Sequence, residues 1–408
     1  MLPIALAAAA LTSHAAAQPE TAAEVDESRF LTNLTQLTFA EDFVKAGESY
    51  FSPDDELIVF QGVPVPPEGE EPSPHYDMYV GRYHDFEYRR SLIQAGSPIR
   101  FQFVRLNRPG SANTCGWFHP SASHDHATII FGSTIEPPSE ENVPGYQRAT
   151  GRYSWAFPSE MEIVSQEIAS ARIMFLPGYE GTPMINSSQQ TIFEKPGYTA
   201  ECSYSPDGRH ILYANVNEER SNELGRADAD LWVFDTTTRE HTLIVEAEGY
   251  DGGPFFSPDG TWICYRSDRR GDNLLQLFVA ELEFDDTGAI TGIKQEVQLT
   301  DNGHVNWAPF WHPSGELLVY ASSEVSHRNY EVFAIAFNAA DPKASTPIRI
   351  TAADGFDGLP VFDSTGDRMM WTAQRGNDTQ WGGRPSSQLW IADFDAEAVR
   401  AALAEANE

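Results

Sequence analysis

One phrase recurs six times along this chain, and it constrains the fold more than any other feature: YFSPDDELIVFQ from Tyr50, FHPSASHDHATIIFGS from Phe118, YSPDGRHILYAN from Tyr204, FSPDGTWICYRS from Phe256, WHPSGELLVYAS from Trp311 and FDSTGDRMMWTA from Phe362. A unit this short cannot bury its own apolar face, so copies must stack on one another. Each copy is an apolar strand, a Ser-Pro-Asp-Gly type turn and a second β-prone run, which together make a hairpin. Third strands follow, such as DLWVFD from Asp230 and YEVFAIAF from Tyr330, then fourth strands such as HTLIVEA and QEVQLT. Four antiparallel strands per unit describe one propeller blade.

The equivalent turn positions Ser52, His119, Ser205, Ser257, His312 and Asp363 are 67, 86, 52, 55 and 51 residues apart, so the first two units carry insertions. The last unit has three strands and then the polar tail DAEAVRAALAEANE. LTNLTQLTF, Leu31 to Phe39, stands ahead of the first hairpin with no unit of its own, and is predicted to close the ring as the outer strand of blade six. This pairing removes an exposed sheet edge at the joint. The expected fold is therefore an all-β, six-bladed β-propeller filling residues 29–395, with a short helix or tail over 396–408.

The first 17 residues, MLPIALAAAALTSHAAA, give an apolar run and then small residues, the pattern of a secretory signal cut after Ala17. Residues 18–28 are expected to be disordered, and the mature chain to be periplasmic or secreted. With 60 acidic against 27 basic residues the net charge is −33, which argues against nucleic-acid binding. The three cysteines, Cys115, Cys202 and Cys264, each sit in an apolar strand pattern and are expected to be buried free thiols.

GYDGGPFFSPDG (Gly249 to Gly260), GYTAECSYSPDG (Gly197 to Gly208) and HVNWAPFWHPSG (His304 to Gly315) resemble the repeats of the TolB-like six-bladed propellers, over nearly all of the chain after residue 30. The resemblance implies the fold. It does not imply one function, because related blades serve binding proteins, the propeller part of prolyl-oligopeptidase-type enzymes and some lyases. The α/β domain that precedes the propeller in TolB proper has no counterpart in the string, nor does the G-x-S-x-G elbow of the hydrolases.

Strand direction alternates within a blade, so the loops leading into the innermost strands share a face with the loops joining strands two and three. Aligned on the turns, the leading positions are Ala46, Asn113, Thr199, Asp251, Asn306 and Asp357, and two residues on, Glu48, Cys115, Glu201, Gly253, Ala308 and Leu359. Oxygen groups are expected to ring the channel mouth, in which Glu48, Asn113, Glu201, Asp251, Asn306 and Asp357, together with His304, are the candidate ligand-binding residues. Such a ring suits Ca²⁺, with Glu201, Asp251 and Asp357 as its candidate ligands, or an ammonium or guanidinium group. The alternative is a solvated mouth whose carboxylates bond at loop corners. His304, in the loop before Asn306, is the imidazole expected near the mouth. Insertions on the same face bring Tyr146, Tyr153, Trp155, Phe157 and Trp381, a candidate aromatic lip for a ligand.

His124-Asp125-His126 has metal-ligand residue types but reads as a turn, and His119 and His312 stand in the Ser position of theirs. The expected function is a non-enzymatic, monomeric exported scaffold binding a peptide, a protein partner or a glycan at its channel face, with no nucleic acid and no membrane span. The alternatives are an accessory subunit of a hydrolase or a metal-dependent propeller lyase. The resemblance to oligogalacturonate lyases implies a His cluster around a divalent metal, and on this face only His304 is offered.

Overall fold

A computed structural model of the chain describes residues 25–83, 103–139, 145–147, 152–154, 158–169, 188–376 and 385–408. The described residues form six four-stranded antiparallel sheets and one two-stranded hairpin. Blade 1 has Phe43–Phe51 innermost, followed by Leu57–Pro64, Asp77–Arg82 and Phe103–Arg105. The innermost strands of blades 2 to 6 are Asn113–Phe118, Thr199–Tyr204, Asp251–Phe256, Asn306–Trp311 and Asp357–Phe362. Blade 6 takes its fourth strand from the N-terminal side: Leu31–Gln36 pairs with Gln388–Phe394, with Leu31 opposite Phe394 and Gln36 opposite Trp390. The ring is thus closed by the N-terminal strand, as the unpaired LTNLTQLTF segment implies.

The repeated turns do the same work in each blade. In blade 3 the Ser205 hydroxyl accepts from the His210 amide at 2.9 Å, and Asp207 accepts from the Arg209 amide at 3.0 Å. Where His replaces Ser, its Nδ1 takes over as acceptor, at 3.1 Å from the amide of Ser121 for His119 and of Ser314 for His312. The second strands are the most buried, His210–Val216 and Trp262–Ser267 from end to end, because each blade is covered on both faces by its neighbours. The core accordingly lies in the seams, where Leu212 and Val233 of blade 3 meet Ile263 and Phe278 of blade 4, and Cys264 and Val279 meet Trp311 and Leu318 of blade 5.

The helix Ala396–Ala406 begins on an Asp395 cap and lays Val399 and Leu403 on the blade 5–6 seam. The segment expected to be disordered through residue 28 is structured over its last residues: Glu27–Arg29 forms one 3₁₀ turn. Its anchor is Glu27, which accepts from both Arg375 Nη atoms at 2.9 Å and from the Ala352 amide at 2.9 Å. Residues 1–24, with the expected signal segment, lie outside the described residues.

Candidate functional site at the loop face of the channel

Every innermost strand is interrupted at the same place. Pairing with the second strand slips between Gly47 and Ser49, Thr114 and Trp117, Ala200 and Ser203, Gly252 and Phe255, Trp307 and Phe310, and Gly358 and Val361. Within each slip one residue is left-handed: Glu48 (φ 44°), Cys115 (53°), Glu201 (55°), Gly253 (56°), Ala308 (53°) and Leu359 (55°). Five of these six are not glycine, and each costs on the order of 1 kcal/mol of strain. A bulge re-aims its side chain, and here it turns the ring two residues beyond each leading position toward the axis.

Two residues deeper the channel is closed. Tyr50, Trp117, Phe255 and Phe310 meet with ring centroids 5.0 to 6.2 Å apart in every pairing. Trp117, Phe255 and Phe310 are half-buried. The loop side of the channel is therefore a blind cup with an aromatic floor.

Above this floor lie two polar clusters, one around Glu48 and one around Glu201. Glu48 accepts from Gln61 Nε2 at 2.8 Å, from the Tyr50 hydroxyl at 3.3 Å and from the Cys115 thiol. Glu201 accepts from the Tyr250 hydroxyl at 2.6 and 2.7 Å, from the Gly253 amide at 2.5 Å and from Arg266 Nη2 at 3.1 Å. Arg266 also donates to the Tyr250 hydroxyl at 2.8 Å. Burial, helped by the charge of Glu201, pushes the Glu48 carboxyl above its usual range, against the Arg266 charge. Burial, together with Glu48 and Glu201, pushes the Cys115 thiol well up, so this sulfur acts as a hydrogen-bond donor and not as a thiolate. Cys202 and Cys264 are buried free thiols, while Cys115 differs from the expectation in being half-buried at the cup wall.

The leading positions behave differently. Asp251, Asn306 and Asp357 are at most 1% exposed, and each is bonded inside or beside its own blade. Asp251 receives Arg269 at 3.1 Å, and Arg375 Nε lies 3.0 Å from both Asp357 oxygens. Asn113 accepts from Ser133 at 2.7 Å and Asn306 from Ser322 at 3.0 Å. These residues lock the loop to the second strand, and two carboxylates of the expected Ca²⁺ set, Asp251 and Asp357, are engaged in this way. Glu201, Asp251 and Asp357 each carry a separate arginine, and among the described residues no three His, Cys, Asp or Glu groups could hold a metal. His304 is half-buried beside the mouth, its amide bonded to Asn302 Oδ1 at 3.0 Å. His124 is held in its turn, with its amide 2.8 Å from Asp54 Oδ2.

Of the expected lip, Tyr146 and Tyr153 are backbone pairing partners in a short hairpin, Gly145–Gln147 with Arg152–Ser154. Trp155, Phe157 and Trp381 lie outside the described residues. Arg266, Tyr250 and Gln61 were not among the residues anticipated from sequence, yet a signal for Arg266 is there. A Cβ on Gly253 would lie 2.0 Å from Arg266 Nη1, and one on Gly252 would lie 2.2 Å from the Tyr250 hydroxyl. The Gly-Gly pair is therefore the space that the guanidinium and phenol occupy, and an arginine ending the apolar strand WICYRS faces it.

No family model matches the chain. An uncharacterized protein of Agrobacterium fabrum is 27% identical over 156 residues, 38% of this chain and 44% of that protein. Dipeptidyl-peptidase 5 of Porphyromonas gingivalis is 33% identical over 114 residues, 26% of this chain and 16% of that protein. The chain spans less than half the length of these curated relatives. Among solved structures it is similar to a putative TolB from Agrobacterium tumefaciens, with a TM-score of 0.46 and 15% identity, covering 86% of this chain and 91% of that one. In architecture the chain is a six-bladed β-propeller, and its repeats resemble those of the TolB-like propellers.

Proposed function

We propose that this propeller is an exported binding protein that receives a peptide or protein partner at the loop face of its channel. The observation that carries this reading is the blind cup: the floor of Tyr50, Trp117, Phe255 and Phe310 lets a ligand approach the axis from one face only. Three further features support it. Strained bulges hold Glu48, Cys115 and Glu201 in the cup at an energetic cost, which is the usual mark of a functional site. The hairpin bearing Tyr146 and Tyr153 belongs to an insertion on the same side, and aromatic side chains are the common anchors of partner surfaces. Finally, no helix among the described residues is long and apolar enough to cross a membrane.

Site-specific photo-crosslinking in the source cells tests the proposal. A benzophenone side chain at Tyr146 or His304, on the loop face, is expected to give discrete protein adducts, and the same group at Thr261 or Ser314, on the turn face, is expected to give none. Equal adducts from both faces, or adducts from the turn face alone, overturn it.

A further inference from the structure

The chain has only four lysines, and they are not alike. Lys294 pairs with Glu281 at 3.0 Å and Lys343 pairs with Asp341 at 2.6 Å. Lys195 lies over the Trp232 ring at 3.4 Å and feels the charge of Asp230. Lys45 is half-buried and has no acidic partner among the described residues, in a chain with 60 acids to choose from. Its Nζ stands 4.1 Å from the centroid of the Tyr76 ring.

Its position gives this isolation a meaning. Lys45 directly precedes the leading position Ala46 of blade 1, three residues before Glu48. Tyr76 ends the Pro-rich insertion that joins strands two and three of the same blade, so both residues stand on the loop face. Asn113 of blade 2 donates to the Tyr76 carbonyl at 2.9 Å and fixes this insertion over the mouth. Burial, helped by the charge of Glu48, pushes the Tyr76 phenol above its ordinary range. Burial, together with the Lys45 charge, keeps the imidazole of the preceding residue, His75, below its ordinary range.

The unmet charge at the mouth is therefore positive. Glu48 and Glu201, which from sequence suit a cation, already accept from Gln61, Tyr50, Cys115, Tyr250, Gly253 and Arg266, and a ligand ammonium would have to displace these donors. We propose that Lys45, backed by Tyr76 and flanked by His75, receives the C-terminal carboxylate of the bound peptide. This rests on the peptide-binding reading above and adds the polarity of the ligand. A monoanion suits the place better than a phosphate dianion, because Glu48 and a net charge of −33 repel the second charge. A chain end suits it better than an internal carboxylate, because a cup closed by aromatic rings admits a terminus but not a chain passing through. Desolvation holds the free Lys45 amine at about 8, and a carboxylate seated on it would reverse that shift.

Four lysines make the test direct, since selectively ¹³C,¹⁵N-lysine-labelled protein gives one side-chain signal for each. Lys45→Gln identifies the relevant one, and its unchanged melting curve and remaining three signals show that the variant folds. The Lys45 titration is then followed with N-acetyl-triglycine, with N-acetyl-triglycine amide and with glucuronate, each up to 50 mM. The expected result is a rise of about one pH unit in the Lys45 midpoint with the free acid and none with the amide. No rise with the acid, or an equal rise with the amide, overturns the inference, and an equal rise with glucuronate overturns the peptide assignment in favour of a sugar acid. Adducts from Tyr146 in cells combined with a silent Lys45 would sink this inference while leaving the binding reading in place.

Discussion

Asp251 and Glu201 illustrate two fates for a carboxylate on one face of one propeller. Both belong to columns that line up across the six repeats, two residues apart, and both have an arginine partner. Asp251 opens its strand in extended pairing with Ser267, is 0% exposed, and ties a loop to its blade. Glu201 sits on a left-handed bulge and takes part in a network that crosses from blade 3 to blade 4 at the channel wall. Residue type does not separate the two columns. The backbone does, since an extended residue points into the seam and a bulged one points to the axis.

The largest expected break in this comparison comes from Arg266. Replacing it with Met leaves Glu201 buried with only neutral donors, and removing one partner of a buried ion pair costs about 3–5 kcal/mol. Chemical denaturation should show this loss, and a Glu201→Gln/Arg266→Met double variant should recover much of it. A loss below about 1 kcal/mol in the single variant would mean that the cup is wet enough to solvate Glu201 and that the network is not buried.

Next in size is Asp357, which stands for the leading column. Asn at this position weakens the bond to Arg375 and, through it, the Glu27 anchor of the closing strand. The expected cost is about 1–3 kcal/mol. It should be accompanied by faster amide exchange in residues 31–36, because this strand is the one held by the anchor. Unchanged exchange there would show that pairing with Gln388–Phe394 suffices to close the ring.

The propeller was legible because its determinants are local and repeated: a turn whose Ser and Asp bond within five residues, and strands whose burial follows from being covered on both faces. Ring closure was legible for a related reason, since a lone strand at one end matched a missing strand at the other. The loop face was legible as a place, not as chemistry. Asp357 and Asp251 looked like free ligands because their partners Arg375 and Arg269 lie 18 residues away in a different strand context. Lys45 was invisible because its distinguishing property is a missing partner, and a sequence holds no record of which neighbour fails to arrive. Only the Gly-Gly pair facing Arg266 left a mark, being the void that a large side chain must fill.

Beside the two columns, on the third strand of blade 3, Asp230 sharpens the comparison through pH. It is 6% exposed, its Oδ1 has no hydrogen-bond partner, and burial with the nearby Asp228 charge raises its carboxyl to about 7. The native state then holds a proton that the unfolded chain, titrating near 4, has released, so stability should be full below about pH 4 and fall as pH rises toward 7. Burial raises Asp251 to about 6 and Glu331 to about 7, and both add to the same slope. Asp230→Asn should flatten the decline between pH 5 and 7.5 by on the order of 1–2 kcal/mol after discounting for screening. A variant with the wild-type slope would show that Asp230 is ionised in the native seam.

The smallest effect is expected where the site proper lies. Glu48→Gln keeps the shape, and Gln61, Tyr50 and Cys115 can turn to serve an amide, so little hydrogen bonding is lost. What is removed is a charge that burial and Glu201 both oppose. At pH 8 the variant should be as stable as the parent or more stable by up to about 1 kcal/mol, the pattern expected when a group is retained for function against its own stability cost. The corresponding substitution in the leading column, Asp357→Asn, is expected to have the opposite sign, because it gives up the paired bond from Arg375. A clear destabilisation by Glu48→Gln at pH 8 would therefore erase the distinction between the columns, for it would make the bulged ring a second structural lock.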